Sequence, residues 1–400
     1  MSDNSTSTGR ALTIALCFSV ALLEGFDIQA LGIAAPRLAP ELGLDPAQMG
    51  MVFAITNVGL VIGAAFGGWI ADRVGRKRVL VASAAVFGVF TLSTVIAHSF
   101  EALFAARLMA GLGFGAALPN MMALAADVSP TQGRAFTASA MFCGMPIGAG
   151  ASALVAQLLP PDFSWRALFL VGGALPLVLV PALAVLLRET PRPPVDRNAG
   201  DSRKESVLHV LFGDHRAVPT LLLWLAFFPT LLMLYLMLNW LPFIVAAGGL
   251  ESAIAASAAL VFNLGAAAGA LIIAALVDRI GMRLPLTMAY AGLIASLFAL
   301  SAAETATSIL LLSGLTGFLI LGANYALYGI ATCFYPASMR GTGAGASIAV
   351  GRIGSVVGPL LAGMWLAHGA TGGQVIVYLV PTVVVAGLAV FILSYAKRAD

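Results

Sequence analysis

Gly68-Trp69-Ile70-Ala71-Asp72-Arg73-Val74-Gly75-Arg76-Lys77-Arg78 lies between two long apolar runs, and a degenerate copy, Asp278-Arg279-Ile280-Gly281-Met282-Arg283, follows 206 residues later (72 to 278). The same offset aligns Asn57 with Asn263, Gly59 with Gly265, Gly63 with Gly269, Arg134 with Arg340 and Gly148 with Gly354, with no gap. The matched positions are mostly glycines and charges, at loops and at faces where helices would touch. Such a long internal period marks a chain built as two copies of one unit.

The surrounding composition says where those units live. The 400 residues are 60% hydrophobic and 10% charged, with mean hydropathy +0.98, whereas a soluble domain carries about 25% charged residues. The apolar runs have helical membrane-span length, not the short alternation of barrel strands. Twelve spans are predicted, at 11–35, 46–71, 79–98, 101–126, 135–159, 166–187, 217–247, 252–277, 284–303, 305–335, 341–367 and 373–395. The first is too long for the core of a signal peptide and reads as an uncleaved span. Of the 21 Lys and Arg, only Arg37 and Arg166 fall outside when the N-terminus is inside, and only Arg107 and Arg352 fall within spans. This bias orients both termini to the cytoplasm of a cell inner (plasma) membrane. The segment 189–216, with Pro191, Pro193, Pro194 and mixed charges, reads as a solvated cytoplasmic linker between halves 1–188 and 217–400. The expected fold is therefore all-α: twelve transmembrane helices in two six-helix pseudo-repeats.

Where the repeat breaks, chemistry enters. At the 206-residue offset Glu24 faces Thr230, Asp27 faces Met233, Arg107 faces Ser313 and Arg352 faces Pro146. A scaffold can be duplicated, but one substrate and one proton are not symmetric. Two acids and two arginines thus stand deep in spans where an ionisable group is expensive and marks a functional site. Glu24 and Asp27, three residues apart, share one helical face. They are the candidate proton carriers, Asp27 as the main one, and two neighbouring acids titrate as a pair. Arg352, near the middle of its span, is the candidate clamp for a carboxylate, which a planar guanidinium holds with two N–H groups. Trp240, Tyr325 and Tyr328 are candidates for a wall that stacks on an aromatic ring, or for ordinary core aromatics.

Other patterns carry less. Gly59-x3-Gly63-x3-Gly67, Gly144-x3-Gly148-x3-Ser152 and Gly265-x3-Gly269 allow close helix approach, for sliding halves or for static packing. Arg107-x3-Gly111-x-Gly113-x-Gly115 lacks the preceding strand a phosphate loop needs, so nucleotide binding is rejected. Cys17, Cys143 and Cys333 are far apart, and His98, His209, His215 and His368 have no ligand-spaced neighbours, so neither a metal site nor a cofactor is expected. No H-E-x-x-H or G-x-S-x-G run and no nucleophile–base constellation appears, so no enzyme and no catalytic residue is expected. A net charge of +3 gives no reason to invoke nucleic acid.

The Gly68–Arg78 loop resembles the signature of the major facilitator superfamily, G-x-x-x-D-R-x-G-R-K, and its copy stands where that fold repeats it. The resemblance assigns Gly68, Asp72, Arg73, Gly75, Arg76, Lys77, Asp278 and Arg279 to gating. Asp72 would pair with a cation or helix end of the other half in one state only. Gly144-Met145-Pro146-Ile147-Gly148-Ala149-Gly150 partly resembles the antiporter signature of drug exporters, with Met145 interrupting it. Glu24-Gly25-Phe26-Asp27-Ile28-Gln29 resembles the first-span motif of the aromatic acid:proton symporters, in the form of their hydroxyphenylpropionate branch. Gly115-Ala116-Ala117-Leu118-Pro119-Asn120, Asn239-Trp240-Leu241-Pro242 and Val350-Gly351-Arg352 are similar to that branch too. This implies proton-coupled uptake of an aromatic carboxylate by alternating access, with Arg352, Arg107, Asn120, Asn239, Trp240, Tyr325 and Tyr328 at the substrate, in a monomer surrounded by lipid. A proton-coupled exporter and a membrane sensor of aromatic acids are the alternatives.

Overall fold

The fold is described from a computed structural model, over residues 2–128, 141, 143–159, 165–187, 189, 207–214, 216–336 and 339–396, with the backbone alone at 2–8. Contacts divide the chain into two compact units, Met1–Pro194 and Val195–Asp400, a division that falls inside the segment read as linker.

The first unit holds α1 (Ser2–Glu41), α2 (Pro46–Val74), α3 (Arg76–Val95), α4 (Phe100–Val128), α5 (Gly144–Leu158) and α6 (Arg166–Leu186). The second holds a short α7 (Val207–Phe212), then α8 (Ala217–Ala247), α9 (Ser252–Ile280), α10 (Arg283–Ser301), α11 (Ala306–Ala331), α12 (Arg340–Ala367) and α13 (Gly372–Leu393). Eleven of these are long and apolar enough to cross a membrane, and α5 is shorter over its described residues. The first part of the predicted fifth span, with Arg134, lies outside the described residues, as do most of 189–216 and Lys397 and Arg398.

Helix ends follow local chemistry more closely than hydropathy. The α1 helix continues past the expected Ala35 to Glu41, because an apolar window marks only the part meant for lipid, and Gly43, at φ 63°, is what turns the chain. Asp45 then caps α2: its carboxylate accepts from Gln48 N at 2.8 Å and the Gln48 side chain accepts from Asp45 N at 3.0 Å, with Pro46 leading the helix. Thr371 and Gln374 do the same for α13.

Packing repeats as the sequence does. In the first unit α2 lies against α4, α1 against α5, and α3 against α4 and α6; in the second α9 lies against α11, α8 against α12, and α10 against α11 and α13. A Cβ on Gly59 or Gly63 would overlap the carbonyls of Leu108 and Leu112, and one on Gly265 or Gly269 those of Gly314 and Phe318. A Cβ on Gly148 would strike the carbonyl of Leu22. The small-residue faces thus pack helices within each unit.

Two loops cap the repeat. Gly75 (φ 104°) and Gly281 (φ 82°) both take backbone angles that L side chains rarely adopt, so the aligned glycines serve one turn used twice. The linker differs from expectation at its C-terminal part. Val207–Phe212 is helical, with Val210 and Leu211 buried. Arg216 donates Nε–H to Val210 O at 2.9 Å and an Nη2–H to His209 O at 3.0 Å, while Thr220 donates to Leu211 O at 2.7 Å. These donors satisfy the open carbonyls at the end of a helix too short to stand alone.

Candidate functional site

Four helices of the first unit meet around the pair of Asp27 and Arg107. Its Oδ1 accepts from Thr91 Oγ1 on α3 at 2.9 Å and from Arg107 Nη1 on α4 at 3.1 Å, and its Oδ2 accepts from Arg107 Nη2. The guanidinium carbon of Arg107 stands 5.7 Å from the ring centre of Phe169 on α6. Asp27, Thr91 and Arg107 are each 0% exposed. The arrangement is a forked ion pair, in which a planar guanidinium matches both carboxylate oxygens. Removing one partner of such a pair leaves a buried charge uncompensated.

Glu24, one turn earlier on α1, is also fully buried. Between the two acids, a Cβ on Gly25 would overlap the carbonyl of Met145. The glycine of the Glu-Gly-x-Asp motif therefore lets α5 pass directly behind the acids, which is why that position tolerates no side chain.

The second unit carries Arg352 on α12, half-buried, donating Nη1–H to Tyr235 Oη on α8 at 2.7 Å. Beside it, a Cβ on Gly351 would meet Phe227 and Leu231 at 3.2 Å. Phe227 stands edge-on to Tyr328, with ring centres 5.4 Å apart, and Tyr328 edge-on to Tyr325 at 6.2 Å. Both tyrosines are half-buried. Phe227, Tyr328 and Tyr325 thus form a short series of rings in this unit, and the ring that Arg352 meets is that of Tyr235, 6.0 Å from its guanidinium carbon.

The remaining candidates satisfy backbone groups. Asn120 Nδ2 donates to Ala116 O at 2.8 Å and Asn239 Nδ2 to Tyr235 O at 2.6 Å. Trp240 is wholly buried, its indole N–H donating to Pro359 O at 3.1 Å. Arg107, proposed from resemblance for substrate, is engaged by Asp27.

At the repeated loop, Asp72 and Arg73 are exposed, and the Arg73 guanidinium stacks on Trp69 at 3.6 Å. Arg76 pairs with Asp127 at the end of α4, and Lys77 N donates to Glu189 Oε1 at 3.3 Å. An acid at a helix start meets the positive end of the backbone dipole there. Gly281 and Asp278 lie in the matching turn of the second unit, with Asp278 and Arg279 exposed. Thr91, Asp127, Glu189 and Tyr235 were not found by sequence reasoning. Each is an ordinary residue type whose role depends on a partner far along the chain. Among the described residues no group of three His, Cys, Asp or Glu is placed to hold a metal.

Two repeated units of membrane-spanning helices, with a buried ion pair in the first and a half-buried arginine in the second, define a multi-pass membrane transporter. The chain belongs to the Major Facilitator Superfamily, which it matches over residues 17–359. It is 43% identical over 393 residues to the 3-(3-hydroxy-phenyl)propionate transporter of Escherichia coli (strain K12), covering 98% of this chain and 95% of the relative. It is 35% identical to a gallate transporter of Pseudomonas putida, covering 90% and 86% of the two chains. It is also 33% identical to a 4-hydroxybenzoate transporter, PcaK, of Pseudomonas aeruginosa (strain ATCC 15692), covering 97% and 93%. The fold is similar to a bacterial homologue of the human lysosomal transporter Spinster in an inward-facing, occupied conformation, at TM-score 0.79 and 17% identity, covering 98% of both chains.

Proposed function

We propose that the protein imports an aromatic carboxylic acid of the hydroxyphenylpropionate or hydroxybenzoate type together with a proton, by alternating access. It would sit in the bacterial inner membrane with both termini cytoplasmic, the side to which the Lys and Arg distribution assigns the Asp72–Arg78 loop. The substrate class is supported by the named activities of its relatives and by a half-buried cation, Arg352, held against the ring of Tyr235.

The observation that carries the coupling is the Asp27–Arg107–Thr91 cluster. Protonating Asp27 removes the charge on which donors from α3 and α4 converge, so taking up a proton is tied to the packing of three helices. Importing a monoanion against an inside-negative potential costs about 2.3 kcal/mol per 100 mV, and one accompanying proton cancels that charge. The test is uptake of labelled 3-(3-hydroxyphenyl)propionate by liposomes under an imposed pH gradient. Accumulation that collapses with a protonophore is expected. Uptake indifferent to the gradient, or extrusion of the acid, would reject the reading.

The loop between α2 and α3 acts, in this reading, on the balance of states. Asp72→Asn and Arg76→Ala are expected to slow transport several-fold while substrate Kd stays put, since neither side chain is near the buried charges. Arg76 and Asp127 are partly exposed, and such a pair contributes at most about 1 kcal/mol, so melting should hardly move. A large loss of equilibrium affinity with unchanged turnover would contradict the gating role.

A further inference from the structure

We propose that Tyr235 is a positioning residue for substrate recognition: its hydroxyl sets the Arg352 guanidinium in the orientation that receives a carboxylate. This rests on the reading of Arg352 as the carboxylate clamp. The Nη1–Oη distance of 2.7 Å lies at the short end for a charge-assisted bond, and the guanidinium carbon is 6.0 Å from the Tyr235 ring centre.

The two helices that carry the pair have little freedom to slide. A Cβ on Gly354 would overlap Phe228 O and one on Gly358 would overlap Leu232 O, so α12 touches the backbone of α8 at two levels. The Trp240 indole adds a third tie, to Pro359 O. Tyr235 is 5% exposed, and its own carbonyl accepts from the Asn239 amide. The phenol is thus a fixed point, and Arg352 is referred to it.

The chemistry of the acceptor matters. Arg107 gives two N–H groups to a carboxylate, whose charge offsets its own. Arg352 donates to a phenol, which is neutral. The bond to Tyr235 orients the guanidinium without cancelling its charge. A guanidinium has five N–H donors, and a bidentate carboxylate uses two of them. A long side chain ordered beforehand loses less freedom when ligand arrives, and that is how preorganisation raises affinity.

The experiment compares Tyr235→Phe, Arg352→Lys and the double variant in liposomes, with labelled 3-(3-hydroxyphenyl)propionate. Tyr235→Phe is expected to raise KM about ten-fold, the scale of one hydrogen bond to a charged group, with kcat nearly unchanged. In the Arg352→Lys background it should add little, because there is no planar fork left to orient. A Tyr235→Phe loss confined to kcat would show a packing role and overturn the inference, as would full additivity in the double variant. Unchanged KM in Tyr235→Phe with raised KM in Arg352→Lys would overturn it while the clamp stands. Unchanged KM in Arg352→Lys would remove the clamp itself, and the positioning role with it.

Discussion

Asp27→Asn is expected to exchange the aromatic acid across the membrane and to fail to accumulate it. Asparagine keeps the shape of the side chain and one acceptor oxygen for Thr91, but it cannot release a proton. Counterflow, in which labelled acid enters in exchange for unlabelled acid, needs no net proton movement and should stay within about five-fold of wild type, the scale of a hydrogen bond worth its usual ~1 kcal/mol. Accumulation driven by a pH gradient needs the proton at every cycle and should fall to the equilibrated level. The variant also leaves Arg107 at 0% exposure without its counter-charge, and breaking a buried pair from one side destabilises by about 3–5 kcal/mol. Asp27→Asn combined with Arg107→Gln removes both charges, so it should recover the melting temperature without recovering accumulation. That contrast separates coupling from folding. Gradient-driven accumulation surviving in Asp27→Asn but lost in Glu24→Gln would transfer the proton to Glu24, and survival in both would remove coupling from this face of α1.

How much of this was legible beforehand differs between scaffold and site. The repeat was readable because its markers answer to backbone geometry. Gly75 and Gly281 recur since each turn needs a positive φ, and Gly59 and Gly265 recur since each lies against a neighbouring carbonyl. Such demands are local and act on residue type directly. The deep charges were readable as individuals, because an ionisable group in an apolar run stands out against its surroundings. Their partners were not. Asp27 meets Arg107 across 80 residues, and hydropathy does not say which helices are neighbours. Two acids balanced two arginines in the count, yet Arg107 joined Asp27 while Arg352 met a tyrosine.

Tyr235 shows the limit most plainly. It lies within Ala217–Ala247, a helix so uniformly apolar that no face is distinguished, and tyrosine there reads as core. Only the approach of α12, set by Gly351, Gly354 and Gly358, turns its hydroxyl into the partner of a cation. The short helix Val207–Phe212 was missed for a related reason: six residues give no period, and its stability comes from Arg216 and Thr220 beyond its end.

Arg352→Ala is expected to reduce kcat/KM for the aromatic acid by about 100-fold or more, and Arg352→Lys by about ten-fold, most of it in KM. The two substitutions divide the contribution of Arg352 into charge and shape. A carboxylate moved out of water into a partly buried site needs a compensating cation, and without one its desolvation opposes binding by several kcal/mol, which is the loss assigned to alanine. Lysine restores the charge as a point but offers no planar fork, so the second parallel hydrogen bond and the contact to Tyr235 are lost together. Because Arg352 is half-buried, whereas Arg107 is wholly enclosed, neither variant should unfold the protein, and melting curves close to wild type are part of the expected result. Binding measured with no gradient, by displacement of labelled 3-(3-hydroxyphenyl)propionate from detergent-purified protein, separates this effect from proton coupling, since Asp27→Asn should retain that binding. Wild-type affinity in Arg352→Ala would place the carboxylate elsewhere. The remaining deep cation is Arg107, and the acid would then have to compete with Asp27 for its fork, making substrate binding and proton release a single event at one site.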